Sequence, residues 1–309
     1  MKSALVDVGT ALEAQLPDQV RRAVSSAELT TYRCGGPLAV FVRVESEDDL
    51  RAVASVLAPT DVPVLVVGRG SNLLVADAGF SGVAISLAGG LEQLDIDPAQ
   101  ARVRAGGGVP LPVLARQAAA KGVGGLEFFV GIPGSVGGAV RMNAGGHGAD
   151  TNDVIVTARV VDLADGGARE LSRAELGLGY RQSALAPLAV VVGAEFSGRP
   201  DDPSACAARV DEIVRWRREH QPGGQNAGSV FTNPAGDAAG RLIEVAGCKG
   251  LRLGGAVVSE KHTNFFVADP GASAADVYAL IELVQQRVEE KCGVHLEREL
   301  RCIGFEERA

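Results

Sequence analysis

The sequence predicts a mixed protein of the α+β or α/β class, and three observations carry that expectation. Strand-like and helix-like stretches alternate through the first third of the chain. Two β-branched apolar runs, VIVTARVVDL (154–163) and LAVVVGAEF (188–196), follow a glycine-rich segment in the middle. Near the C-terminus, SAADVYALIELVQQRVEEKC (273–292) carries an apolar stripe at helical spacing. With 309 residues the chain can form two domains, or one large domain and a smaller one.

In chain order, LAVFVRV (38–44) reads as a strand, and Ser46 opens S-E-D-D as an N-cap. Leu50, Val53, Ala54 and Leu57 then follow at helical spacing. VPVLVVG (62–68) and GVAISL (82–87) are apolar strands, and LEQLDI (91–96) and ARVRAG (101–106) are shorter ones. Leu111, Leu114, Ala115 and Ala118 define a short helix closed by Gly122. VIVTARVVDL runs into Asp165-Gly166-Gly167, a hairpin turn signal. SGRPDDP (197–203) is polar and proline-containing and marks a domain boundary. Val210, Ile213 and Val214 share one face of a helix ending near RWRREHQP (215–222), and another helix is expected around 237–245. Strands at LGGAVVS (253–259) and NFFVAD (264–269) precede the long helix. That helix has Ser273 and Asp276 as its capping pair and Gly293 as its stop. VHLERELRCIGF (294–305) alternates like a strand.

Composition excludes several classes of function. A net charge of −8 argues against a nucleic-acid surface. No apolar run approaches the ~20 residues of a membrane span, and the N-terminus lacks a signal-peptide pattern. The five cysteines are scattered, never in a C-x-x-C pair, which suits reduced thiols in a cytoplasmic protein. The four histidines lack metal-ligand spacing, so no structural metal is expected.

The stretch FFVGIPGSVGGAVRMNAGGHG (128–148) holds seven glycines, and Arg141 is its only full charge. Such density implies a backbone that comes close to something. Two glycine-rich turns stand out, VVGRGSNLL (66–74) and GIPGSVGGA (131–139), with a third run, Gly106–Gly108. They read either as tight turns or as backbone N–H cradles for phosphate oxygens. Neither turn fits the Rossmann or Walker pattern. Three such stretches favour a pyrophosphate-containing ligand, and a flavin dinucleotide has the length to need two contact loops. Arg181, Ser229 and Glu299 sit in unusual settings, G-Y-R-Q-S, N-A-G-S-V-F and L-E-R-E-L. Each singly also reads as a surface arginine, a turn serine or an exposed strand carboxylate, and His262 as a strand entry.

Taken together and in order, these segments resemble one family over nearly the whole chain. They are T-T-Y-R-C-G-G (30–36), V-G-R-G-S-N-L-L (67–74), G-I-P-G-S-V-G-G-A-V-R-M-N-A-G (131–145), Y-R-Q-S (180–183), A-G-S-V-F (227–231), K-G (249–250), G-G-A (254–256), S-E-K-H-T-N-F (259–265) and L-E-R-E-L-R-C-I-G (296–304). The set is similar to the UDP-N-acetylenolpyruvoylglucosamine reductases, flavoenzymes of peptidoglycan synthesis. The short SGRPDDP connection resembles the family's second type.

The resemblance implies an α+β fold: an FAD-binding domain of the vanillyl-alcohol-oxidase (PCMH) type in two subdomains, plus a C-terminal α+β substrate domain. The division would be 1–200 for FAD, with subdomains about 1–85 and 86–200, and 201–295 for substrate. The C-terminal strand, 296–309, would join the first subdomain. FAD would lie on Gly68, Arg69, Gly70, Ser71 and Asn72, and on Gly131, Ile132, Pro133, Gly134, Ser135, Gly137, Gly138, Asn143, Ala144 and Gly145. NADPH would reduce the flavin, and the enolpyruvyl sugar nucleotide would then take the hydride. Arg181 and Glu299 would stabilise the resulting enolate and Ser229 would protonate it. Arg217, His220, Asn233, His262 and Asn264 would bind substrate. The chain would act as a cytoplasmic monomer. It departs from the family pattern at Leu29, at Gly146-His147, and at His220 and Thr232, where basic residues are common. Those last two leave room for a second reading, a flavin reductase of the same fold acting on a different nucleotide sugar or secondary metabolite.

Overall fold

The computed structural model describes residues 2–305. Two compact units emerge, each assembled from separated stretches. The first contains Met1–Arg22, Val40–Arg69 and Gly82–Trp216, and the second Ala23–Ala39, Gly70–Ser81 and Arg217–Ala309. Among the described residues no helix is long and apolar enough to cross a membrane.

The first unit is built on a five-stranded antiparallel sheet in the order Ala168–Ser172, Ile155–Asp162, Ala189–Ser197, Arg102–Gly106, Leu94–Asp97. The expected hairpin follows from its turn. Gly166 has φ +73°, and the Asp165 carboxylate accepts the Gly167 N–H at 2.7 Å. Helices Leu111–Ala120 and Val136–Met142 contribute Leu111, Leu114, Val136 and Val140 to a core containing Phe129 and Phe196, whose rings meet edge-on at 5.4 Å. A second core joins helices Lys2–Gln15 and Glu47–Leu57 to Val40, Val42 and Val44. Ser46 caps the latter helix in a reciprocal box with Asp49, as its sequence predicts.

Among the described residues four helices escaped the sequence pattern, two of them the single turns Thr151–Val154 and Arg173–Leu176. Lys2–Gln15 buries Val8 and Leu12 on one face, a sparse stripe in an otherwise mixed N-terminal segment. Val136–Met142 begins with V-G-G, whose glycines mask helical propensity. Ser135 Oγ caps it at the Gly138 N–H, 3.4 Å, and Asn143 ends it with φ +41°.

The second unit holds the three-stranded antiparallel sheet Arg252–Leu253, Ala256–Val258, Phe266–Ala268 and the helices Ala239–Val245 and Ala274–Cys292. Its core gathers Phe231, Phe266, Leu280, Ile281 and Val284. The long helix is capped by Ser273 Oγ at the Asp276 N–H, and also by the Asp77 carboxylate on the Ala274 and Ala275 N–H groups at 2.9 Å each. Gly293 closes it at φ +67°. Burial pushes the Cys34 and Cys302 thiols up to about 11, which keeps them protonated and unreactive at neutral pH.

Several strand expectations shrink, NFFVAD to Phe266–Ala268 and LEQLDI to Leu94–Asp97 among them. VPVLVVG contributes only Val64–Val66, parallel to Phe80–Leu87. Of 294–305 only Arg301–Ile303 is regular strand, parallel to Leu73–Val75. Just before it the Glu299 and Leu300 N–H groups both converge on the Val230 carbonyl, at 2.9 and 3.2 Å. Two donors on one acceptor break the ladder in the manner of a bulge. Residues 306–309 of the expected C-terminal strand lie outside the described residues. The 197–203 segment contains the short strand Arg199–Pro200, paired with Val123–Gly124.

Candidate active site

In the first unit the three glycine-rich stretches lie against one another. The Gly137 N–H donates to the Gly107 carbonyl at 2.8 Å, Val136 N–H to Val109 at 2.9 Å, and Leu111 N–H to Gly134 at 3.0 Å. A Cβ built on Gly68 would meet Ser135 Oγ at 2.6 Å, so Gly68 and Ser135 are immediate neighbours. Gly137 is closely enclosed, its hypothetical Cβ 3.1 Å from the Gly107 and Val191 carbonyls. Gly138 is different. It is exposed, and the nearest atom to its Cβ position is Ser135 Oγ at 3.6 Å, so nothing in the protein demands glycine there.

The Gly68–Asn72 turn has the character of a donor-rich cradle. Among the described residues its five backbone N–H groups give no hydrogen bond to a backbone carbonyl. In the second unit Gly70 packs on Leu29 and Thr30 with φ +61°, and its carbonyl accepts the Thr31 N–H at 3.1 Å. The buried Thr30 Oγ1 has no hydrogen-bond partner, an orphan of the kind a bound ligand satisfies. Arg69 is exposed, as is Pro133. Ile132 is half-buried, its N–H on the Phe129 carbonyl. A Cβ on Gly131 would touch the His147 ring.

Asn143 is 2% exposed and fully engaged inside the protein. Its Nδ2 donates to the Gly179 carbonyl at 2.9 Å and to Asp150 Oδ2 at 3.0 Å, while its Oδ1 accepts the Asn152 N–H. It thereby fixes the loop that presents Arg181. The Ala144 carbonyl accepts from Thr151, and the Gly145 carbonyl accepts Arg181 Nη2 at 3.2 Å. Arg181 itself is half-buried with φ +57°, a backbone state that an arginine adopts only when its surroundings impose it. Arg141 braces the same loop from below through the Leu185, Ala186 and Ala189 carbonyls.

In the second unit Ser229 and Glu299 belong to one backbone network. Ser229 bridges Phe265, and Val230 accepts the Glu299 N–H. The Glu299 carbonyl in turn accepts Asn72 Nδ2 at 3.0 Å. Ser229 lines a cleft of about 350 Å³ together with Asn233, His262 and Asn264. Arg241, Lys249 and Lys261 also line it; the latter two fall within family-like motifs, but no spacing rule marked them as cleft residues. Asn233 Oδ1 accepts the Ala239 N–H at 3.0 Å, at the start of a helix.

Asn264 is 3% exposed and pairs both of its polar atoms with the Phe231 backbone, at 3.0 and 2.8 Å. Its side chain holds the Ser229 loop in place. Asn264→Ala strands two buried backbone groups and is expected to cost about 3 kcal/mol in chemical denaturation.

His262 has a buried Nδ1 with no hydrogen-bond partner, and its ring lies 4.5 Å from that of Phe265. Burial lowers its pKa from the ordinary 6.5, so the ring is neutral at pH 7. In the acid range just below pH 6.5 the unfolded chain binds the extra proton before the folded one. Stability is therefore full above that pH and falls as pH drops through it. His262→Gln is expected to flatten this acid-side slope in thermal unfolding scans.

Burial also lowers the pKa of Arg217, whose Nε donates to Gln221 at 2.7 Å. Desolvation is the sole cause of that shift, with no carboxylate acting on it among the described residues, which leaves a desolvated cation suited to an anion. His220 is exposed at the end of the same helix. Elsewhere, Glu127, Asp201 and Cys206 bring possible ligand atoms within 4.8 Å of one another. The cation there is Arg209, whose Nη2 reaches Glu127 at 2.7 Å and Asp201 at 2.5 Å.

Comparison with known proteins gives a consistent result. Residues 220–303 match the family "UDP-N-acetylenolpyruvoylglucosamine reductase, C-terminal domain", and residues 37–172 match "FAD binding domain". A protein of Methylorubrum extorquens (strain PA1) named UDP-N-acetylenolpyruvoylglucosamine reductase is 43% identical over 305 residues, covering 98% of this chain and 97% of its own. One of the same name from Paramagnetospirillum magneticum (strain ATCC 700264 / AMB-1) is 45% identical over 280 residues, 90% of each chain. The crystal structure of UDP-N-acetylenolpyruvylglucosamine reductase from Thermus caldophilus superposes with a TM-score of 0.80 at 37% identity, covering 92% of this chain and 99% of that one.

Proposed function

Because the chain belongs to the UDP-N-acetylenolpyruvoylglucosamine reductase family, we propose that its site residues carry that family's chemistry. The fold is the expected α+β one, an FAD-binding domain together with the family's C-terminal domain. The protein is an FAD-containing oxidoreductase that reduces UDP-N-acetylenolpyruvylglucosamine to UDP-N-acetylmuramate with NADPH, a step in peptidoglycan precursor synthesis.

FAD fits the residues present. The Gly68 and Arg69 amides offer donors to a pyrophosphate, as does the backbone at Gly134 and Ser135, and the open space over Gly138 leaves room for it. Held there, FAD would supply hydride chemistry, with NADPH as the source of the reducing equivalents and the enolpyruvyl terminal carbon as their destination. The rest of the chemistry belongs to the chain. As charge develops next to the substrate carboxylate, Arg181 offers a guanidinium already fixed by Gly145. Glu299 is the second group that stabilises this enolate. Ser229 Oγ–H delivers the proton to carbon, a task for so weak an acid only because a carbon enolate is a strong base.

Arg217 and His220 take the diphosphate charge, with His262, Asn233 and Asn264 at the nucleotide sugar; the desolvated guanidinium of Arg217 makes it the main anion contact, where the family commonly has basic residues at positions 220 and 232. The proposed functional division remains 1–200 for FAD and 201–295 for substrate, in a chain that works as a cytoplasmic monomer.

The observation that carries these roles is the 2.9 Å bond from the Glu299 N–H to the carbonyl of Val230, the residue after Ser229. It supports the reading by tying the backbone of Glu299 to the loop that carries Ser229, a residue of the cleft wall. Incubating the protein with NADPH and the enolpyruvyl sugar tests the activity. Mass spectrometry should find the substrate converted to a product heavier by two hydrogens, and an unchanged substrate mass would refute it.

A further inference from the structure

Glu299 is held through its backbone, and the residue before it is anchored from a different direction. Arg298 turns its guanidinium toward the Ala274–Cys292 helix. Nη1 donates to the Tyr278 hydroxyl at 3.0 Å, Nη2 reaches Gln285 Oε1 at 3.4 Å, and the guanidinium carbon lies 4.9 Å from the Tyr278 ring centre. The other face of Tyr278 is set by Phe305, whose ring stacks on it at 4.1 Å with an interplanar angle of 6°. Gln285 adds a second tie. Its Nε2 donates to the Leu296 carbonyl at 2.6 Å, so accepting from Arg298 and donating to Leu296 fix its orientation.

These ties act on a segment with little regular structure of its own. Residues 297–300 meet 230–232 through the Arg298–Phe231 bridge and a few irregular bonds at Glu297, Glu299 and Leu300. The pairing with 230–232 is irregular, while buried Leu296 and Leu300 and the adjacent Arg301–Ile303 ladder hold the ends of the segment; a one-residue slip between them would turn the Glu299 side chain to the opposite face. The helix, in contrast, is rigidly seated by Val277, Leu280, Ile281 and Val284, all fully buried.

We propose that Arg298 is a positioning residue: by anchoring to Tyr278 and Gln285 it sets the register of the 296–300 segment, and with it the placement of Glu299 relative to Ser229. This rests on the proposed catalytic roles of those two residues. Arg298 touches no reacting atom. Its contribution is the difference between a carboxyl group held in one place and one that samples several, and an ångström-scale misplacement of a reacting group costs rate steeply.

The test uses the full chain with flavin bound and compares Arg298→Gln, Arg298→Lys and Tyr278→Phe with the parent protein. Amide hydrogen exchange by NMR reads the segment directly. Arg298→Gln is expected to speed exchange at Glu299 and Leu300 about ten-fold while leaving Val258 in the neighbouring sheet unchanged. In rapid-mixing experiments NADPH should reduce the flavin at the parent rate, whereas reoxidation by the enolpyruvyl sugar should slow about ten-fold at saturation, with little change in substrate affinity. Arg298→Lys keeps the charge but cannot make both contacts, so it should follow Arg298→Gln, with Tyr278→Phe in between.

Unchanged exchange at Glu299 and Leu300 in Arg298→Gln would overturn the proposal, and so would full recovery in Arg298→Lys, which would mean that charge alone matters. If the parent protein fails to use the enolpyruvyl sugar, the assigned reaction falls. The exchange measurement then decides the positioning claim by itself.

Discussion

Ser229→Ala should leave flavin reduction by NADPH at its normal rate while slowing reoxidation by the enolpyruvyl sugar about a thousand-fold, within the range for loss of a proton donor. The split follows from the chemistry. Hydride transfer to the flavin requires no proton at a substrate carbon, whereas completing reduction of the enolpyruvyl group requires one. The substitution removes a single half-buried oxygen and leaves the bridge to Phe265 intact, since Ser229 makes that bridge through its backbone. Folding and substrate affinity should therefore survive. Rapid-mixing absorbance on the two half-reactions reads the effect, and equal slowing of both would remove Ser229 from its role.

Gly138→Leu should weaken FAD binding about a hundred-fold or more, the scale of losing two charge-assisted hydrogen bonds, without weakening the fold. The expectation rests on what surrounds Gly138. It is helical and exposed, and a Cβ there comes no closer than 3.6 Å to any side chain or other element, so the fold tolerates a side chain and leucine improves helix propensity by roughly 0.8 kcal/mol. Only a ligand lying over that helix turn would object to the side chain. A purely structural turn predicts the reverse, normal flavin content with equal or higher stability. Flavin fluorescence titration together with thermal unfolding of the apoprotein separates the two.

Much of this site was legible because its demands fall on backbone. Glycines in three runs announce a close approach, and the structure brings Gly68, Gly107 and Gly137 into one neighbourhood. The capped helices at Ser46 and Ser273 were equally plain, since their caps are local in sequence. What stayed hidden depends on pairings across long separations. The Glu299 N–H finds Val230 across 69 positions, and no periodicity announces two amides sharing one carbonyl. Asn264 shows the same limit from the other side. Its motif matches a substrate-binding segment, yet both polar atoms of its side chain are engaged by Phe231. Asn143 likewise sits in the cofactor motif while its side chain braces the Arg181 loop. In both cases a motif position identifies the neighbourhood, and only the hydrogen-bond partners identify the task.

The most direct test of the assigned reaction is an anaerobic single turnover. The flavin is reduced with one equivalent of NADPH, UDP-N-acetylenolpyruvylglucosamine is added in D₂O, and flavin absorbance and product are followed together. The expected result is rapid return of the oxidised flavin spectrum, with UDP-N-acetylmuramate carrying deuterium at the carbon next to its carboxylate. A flavin that NADPH reduces but that stays reduced after the sugar is added would contradict it.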